Sequence, residues 1–251
     1  IICLPPYAHS DEVEVAAKHG VHLLLEKPIA LSAEHAWRMV YAAEKAGIKT
    51  QVGFQSRFGE AVERLKTMIN SGEAGIPGLM SARYFCNSLH TNWWRKQEMS
   101  GGQLVEQVIH MIDVMRYLMG EPVSVFSRQA NIFHQDVPDY TIEDISVTVF
   151  GFPNGALGVI YATNGAILVA RNLTAEFSDA NHAVFTFTQR AECPTETIAS
   201  ERDVYLAQLV DLINAIREDG VTRTPILEGA KSLELALTAV QSAAQGMEIR
   251  L

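Results

Sequence analysis

Glu26 and Lys27, followed at once by Pro28, put a carboxylate and a cation on a stiff stretch of backbone. A lysine ammonium beside a reacting carbon polarises a hydroxyl or carbonyl oxygen and stabilises negative charge as it develops. The proline removes a donor and restricts the backbone of the lysine before it. Any strand can end in such a pair, so spacing alone leaves the functional and the structural reading open. Further along, Glu106, His110 and Asp113 stand at i, i+4 and i+7, the spacing of one helical face. A histidine between two carboxylates is a candidate general base, because they can orient the ring and raise its basicity. The same types at the same spacing also occur as a plain surface pair, or as a zinc or iron site, and no metal is expected here.

Two weaker candidates flank these. In Asn92-Trp93-Trp94-Arg95-Lys96, adjacent indoles beside two cations could wall a sugar or carboxylate pocket, or equally cover a hydrophobic edge. In Gly53-Phe54-Gln55-Ser56-Arg57-Phe58, Arg57 could reach the cleft or make an ion pair between the two halves of the chain.

The elements that must carry these groups fall into two grammars. Residues 1–4 and 21–25 are short apolar runs of the kind buried in a parallel sheet, and 48–52 reads as a third strand. Between them lie helical patterns, one from Ser10 to a stop at Gly20, the other capped by Ser32 and ended by Gly47. This alternation is half of a doubly wound sheet, and Glu26-Lys27-Pro28 falls at its carboxyl edge, where such sheets bind ligands. A dinucleotide fold carries a glycine-rich phosphate turn, yet G-x-G-x-x-G occurs nowhere in these 251 residues. The reading for residues 1–53 is therefore the C-terminal half of a Rossmann domain whose first half is absent from this sequence.

Residues 54–251 read as an α+β domain. A helix is expected over 61–69, a strand over 80–86 and one long amphipathic helix over 102–119. Strands follow at 123–132, 145–150, 155–163, 172–177 and 183–188, close enough together to demand a large, mostly antiparallel sheet. Helices at 202–217 and 228–245 finish the chain. The fold class expected is thus α/β, half of a Rossmann-type parallel sheet followed by an α+β domain with an open-faced sheet.

Composition narrows the function classes. The net charge is −9 with no basic cluster, which argues against a nucleic-acid partner. No apolar run reaches the length of a membrane span, and the N-terminus lacks the basic region of a signal peptide. Three well-separated cysteines, Cys3, Cys86 and Cys193, suit reduced thiols in a cytoplasmic protein.

Taken together, four stretches resemble the glucose–fructose oxidoreductase / inositol dehydrogenase / rhizopine catabolism (Gfo/Idh/MocA) family. They are Leu4-Pro5-Pro6-Tyr7-Ala8-His9, Glu26-Lys27-Pro28-Ile29-Ala30, Val52 to Phe58, and Gly101-Gly102 through Glu106, His110 and Asp113 to Gly120-Glu121-Pro122. The resemblance implies an oxidoreductase that moves a hydride between NAD or NADP and a sugar or polyol. It implies that Pro5, Pro6, His9, Glu26, Lys27 and Pro28 line the cofactor, and that Lys27, His110 and Glu106 are catalytic. The substrate would meet Lys27, Arg57, Trp93, Trp94, Arg95, Glu106 and His110. A homodimer or homotetramer through the sheet is also implied. Glu106 and Val108 stand where the family commonly has aspartate and glycine. Two relatives in function are set beside this reading, an NAD-dependent glycoside hydrolase of the same superfamily and a non-catalytic regulator.

Overall fold

The computed structural model describes residues 1–84, 91–161, 165–190 and 192–251. It comprises a small parallel sheet with its helices and a nine-stranded sheet with a helical layer packed on it. In the first part, β1 (Leu23–Leu25) and β2 (Thr50–Val52) pair in parallel, and Ile2 bridges to Leu25 on the other side of β1. Helices α1 (Glu12–Lys18) and α2 (Ala33–Ala46) connect them. The Ser32 side chain accepts from the His35 N–H at the start of α2, and Gly47, at φ 65°, ends it.

The outer edge of β2 is not bare. Val52 N–H donates to the Thr224 carbonyl at 2.7 Å, and its own carbonyl accepts from Gln208 Nε2 and Thr224 Oγ1 at 2.8 and 2.9 Å. Buried edge groups need such partners. They come from the end of the chain, where α7 (Val204–Arg217) and α8 (Ile226–Gln245) fold back. Helix α8 packs against α2 and β2, so the C-terminal residues complete the first part of the fold.

Helix α3 (Glu60–Asn70) leads into β3 (Pro77–Arg83). Short helices α4 (Gln97–Ser100) and α5 (Gln103–Glu106) then precede α6 (Ile109–Met119). The remaining strands are β4 (Ser124–Ala130), β5 (Ile145–Gly151), β6 (Leu157–Tyr161), β7 (Gly165–Ala170), β8 (Leu173–Phe177), β9 (His182–Phe187), β10 (Thr195–Ala199) and β11 (Ile249–Arg250). Their order is β10-β9-β8-β7-β3-β6-β5-β4-β11, with β3–β6 the one parallel pair. The core lies between this sheet and α3, α6 and α8, around Phe150, Phe185, Leu65, Met68 and Ile109. On β5 the burial alternates, so Val147 and Val149 face out while Phe150 and Thr148 face in.

Three strands escaped the sequence reading. β7 hides behind Asn164-Gly165, which reads as a turn; β10 is a polar edge strand; β11 has two residues. The expected strand over 80–86 starts three residues earlier. Its end, with Cys86, lies outside the described residues, as do Thr163 of another expected strand and part of the polar stretch from Asn87.

The expected continuous helix over 102–119 is instead broken between Glu106 and Ile109. In an unbroken helix the Glu106 carbonyl would accept from the His110 N–H. Here Lys27 Nζ takes that carbonyl at 2.6 Å, and the His110 N–H turns to the Gln107 carbonyl at 3.3 Å. A long-range ammonium contact has displaced a local hydrogen bond.

Candidate active site

The carboxyl ends of β1 and β2 present Glu26-Lys27-Pro28 and Gly53 side by side, as Gly53 N–H donates to the Leu25 carbonyl. The Glu26 carboxyl packs against the Gly53 backbone, and burial holds it above the usual carboxylate range against the pull of Lys27. A Cβ on Gly53 would stand 2.7 Å from Glu26 Oε2. Gly53→Ala is therefore expected to displace that carboxyl and lower stability by about 1–3 kcal/mol. A thermal melt unchanged from wild type would show that Glu26 gives way freely.

Lys27 reaches across to α5. Its Nζ donates to Glu106 Oε1 at 2.8 Å as well as to the Glu106 carbonyl, and both side chains are about seven-eighths covered (13% and 12% exposed). The other carboxylate oxygen of Glu106 accepts from Trp94 Nε1 at 2.7 Å, with Trp94 buried. Two donors thus fix Glu106, and Glu106 fixes the ammonium. Trp94→Phe keeps an aromatic ring, though a smaller one, and removes one of those donors, so it is expected to lower turnover about tenfold, worth roughly 1.4 kcal/mol. Steady-state kinetics on the purified variant measure this, and an unchanged kcat would remove Trp94 from the site.

His110 is the second residue of α6, immediately past the break. Its ring meets Phe54 edge-on, with centroids 6.1 Å apart, and its Nδ1 is buried without a hydrogen-bond partner among the described residues. Burial, with the Lys27 charge nearby, pulls its pKa down to about 3, so the imidazole is neutral throughout the neutral range. His110 also lines a cavity of about 400 Å³ shared with Gln55, Ser56, Tyr84, Met111 and Asp179. That volume suits one small molecule. The arrangement provides a held ammonium, a neutral imidazole able to accept a proton, and a half-open cavity that His110 lines and Lys27 and Glu106 do not.

The other predicted residues divide. Pro5 and Pro6 begin a short 3-10 turn, Pro6–Ala8, on which α4 packs. His9 is buried, its Nδ1 bonded to Glu12 and its Nε2 unpartnered among the described residues. Trp93 lies 6.1 Å from Tyr7 of that turn, centroid to centroid, so the two rings join the α4 approach to the Pro6–Ala8 turn. Of Arg95, the backbone carbonyl accepts from Thr141 N–H and helps anchor the loop.

Arg57 and Asp113 do not join the substrate group. Arg57 bonds both Asp113 oxygens, at 2.7 and 2.6 Å, and Glu228 at 2.8 Å. Against burial, these carboxylates hold the guanidinium above the ordinary arginine value. Asp113 accepts in addition from Ser232, and Arg116 binds Ser232, Glu121 and Glu228. The expected stack of Glu106, His110 and Asp113 is thereby corrected: the helix break turns Glu106 to Lys27, while Asp113 faces α8 and the turn containing Arg57.

Sequence reasoning missed Glu143. Its Oε1 accepts from Leu104 N–H at 2.7 Å, and its other oxygen sits so close to Gly102 that a Cβ there would come within 2.5 Å. Burial pushes its carboxyl up to about 7, with the amides of Leu104 and Gln103 pulling the other way. The only local signal was an acid between Ile142 and the strand beginning at Ile145, which names no partner.

Known proteins share this plan. Residues 1–54 match the oxidoreductase family with an NAD-binding Rossmann fold, and residues 62–192 match the GFO/IDH/MocA C-terminal domain. A scyllo-inositol 2-dehydrogenase (NAD(+)) of Bacillus subtilis is 26% identical over all of this chain and 77% of its own length. A myo-inositol 2-dehydrogenase of Thermotoga maritima is 30% identical over 66% of this chain and 50% of its own. Among solved structures, a levoglucosan dehydrogenase in complex with NADH and levoglucosan superposes with a TM-score of 0.91 at 21% identity, over all of this chain and 79% of that one. Since the two family matches follow one another in chain order and the second alone spans more than half of the residues, the chain belongs to the GFO/IDH/MocA family of NAD-binding oxidoreductases.

Proposed function

We propose that this chain carries the reacting end of an NAD(P)-dependent dehydrogenase acting on a sugar or polyol. The observation that carries the reading is the ammonium of Lys27, held by Glu106, beside a neutral His110 that opens on the cavity. The substrate hydroxyl meets His110, which accepts its proton. Lys27 stabilises the negative charge that grows on the same oxygen. Glu106, fixed by Trp94, keeps the ammonium in place and compensates its charge. Hydride acceptance is the chemistry that a bound NAD(P) would supply.

The residues present fit that cofactor on its nicotinamide side. The unpartnered Nε2 of His9, the buried carboxyl of Glu26 and the Pro5-Pro6 turn stand around the sheet's carboxyl edge, where a dinucleotide lies in such folds. His9, Pro5, Pro6, Glu26, Lys27 and Pro28 are assigned to hold it. The phosphate-cradling glycine turn is not among the residues of this sequence.

We assign oligomerisation to the outer face of the nine-stranded sheet, where Leu79, Val147, Val149, Leu157 and Tyr161 are exposed, through a homodimer or homotetramer. Two exposed free thiols, Cys3 and Cys193, support a reducing, cytoplasmic setting. No helix of the described residues is long and apolar enough to cross a membrane.

The test is reduction of NAD+ and NADP+ by the full-length protein with a panel of inositols, aldoses and anhydrosugars. Turnover of at least one supports the reading. Release of a sugar from a glycoside without net cofactor reduction, or tight NADH binding with no turnover of any kind, would replace it.

A further inference from the structure

We infer that Glu143 is a positioning residue for the Lys27–Glu106 pair, acting through the single helical turn α5. This rests on the dehydrogenase reading for its kinetic arm only. Helix α5 has four residues, far too few to be stable by itself. Its two ends are instead held by side chains from distant parts of the chain. At the start, Glu143 accepts from the Leu104 N–H at 2.7 Å. At the end, Lys27 Nζ takes the Glu106 carbonyl at 2.6 Å. A backbone N–H at one end and a carbonyl at the other, which a single turn leaves without partners in the helix, are thereby satisfied.

The approach to α5 is shaped around the same carboxylate. Gly101 and Gly102 both have positive φ, at 77° and 93°. The Glu143 carboxyl occupies the space where a Gly102 side chain would begin. Its neighbours brace the loop from outside: Thr141 Oγ1 accepts from Gln97 N–H at 2.8 Å, and Thr141 N–H donates to the Arg95 carbonyl at 2.9 Å. Asp144, next in the chain, accepts from the N–H groups of Ile132, Phe133 and His134. The segment carrying Glu143 is thus held on both sides, and burial pushes its carboxyl up to about 7. What the buried carboxyl touches is the start of α5, through the Leu104 N–H and the Gly102 backbone.

The distinguishing readout is the Trp94 indole N–H, which reports where Glu106 sits. These 251 residues hold three tryptophans, Trp37, Trp93 and Trp94, and single Trp→Phe variants assign the ¹⁵N resonance of Trp94. In Glu143→Ala, that resonance is expected to leave its hydrogen-bonded position and exchange faster with solvent. Turnover should fall about 100-fold, the usual consequence of a misplacement near 1 Å. Glu143→Gln keeps an acceptor for Leu104 N–H and should restore most of both signals. If Trp94 is undisturbed in Glu143→Ala, or if the glutamine variant is as impaired as the alanine one, Glu143 is merely structural and the inference is overturned. A wild-type protein without dehydrogenase turnover would refute the proposed function, while the Trp94 resonance would still decide the role of Glu143.

Discussion

His110→Ala is expected to lower kcat by roughly three orders of magnitude, within the range that a positioned acid–base group supplies. NADH affinity should change little, because the ring faces the cavity, beside Phe54, and not the Pro6–Ala8 turn. Unaltered turnover would remove His110 from the reaction. The pH dependence carries the same assignment. The folded-state value, pulled down to about 3, lies below the ordinary 6.5, because burial and Lys27 both disfavour the imidazolium. The stability His110 contributes is therefore complete above pH 6.5 and lost as pH falls from there through 3. His110→Ala removes that dependence, so the melting temperatures of wild type and variant should converge on acidification. Substrate and cofactor alter the surroundings of the ring, so only the free protein reports this value.

Breaking the Arg57–Asp113 pair is expected to be the most destabilising single change. Both groups are buried, at 3% and 0% exposure, so deleting one leaves the other charged and without its partner. Such losses run to about 3–5 kcal/mol, a large share of a protein's net stability. Asp113→Ala should show the effect in a urea titration. Replacing the pair together, as Arg57→Met with Asp113→Leu, should recover part of it, since the pair's own attraction barely repays its dehydration. A loss below about 1 kcal/mol for Asp113→Ala would mean that Glu228 alone satisfies Arg57. The pair matters to the site because Asp113 lies one turn beyond His110 on α6. Through Arg57, Arg116 and Ser232, that helix is fastened to α8 and to the turn after β2.

Much of this was legible without coordinates. Alternation of apolar runs with helical patterns defined β1, α1, α2 and β2, because a buried parallel strand and an amphipathic helix leave local marks. Lys27 and His110 stood out because few other side chains can hold an anion or carry a proton near neutrality. Other features depended on distance in the chain. Arg57 has the same local setting whether it meets a ligand or an aspartate, and only packing brings Asp113, 56 residues on, against it. Periodicity made 102–119 one helix; an ammonium 79 residues away broke it by taking the Glu106 carbonyl. Glu143 was invisible for the same reason, since Leu104 precedes it by 39 residues. By itself the sequence determined which groups could do chemistry and which elements would carry them. Which of those groups meet was decided by the tertiary structure, because hydrogen bonds and ion pairs between distant residues outweigh the local preferences that a sequence pattern records.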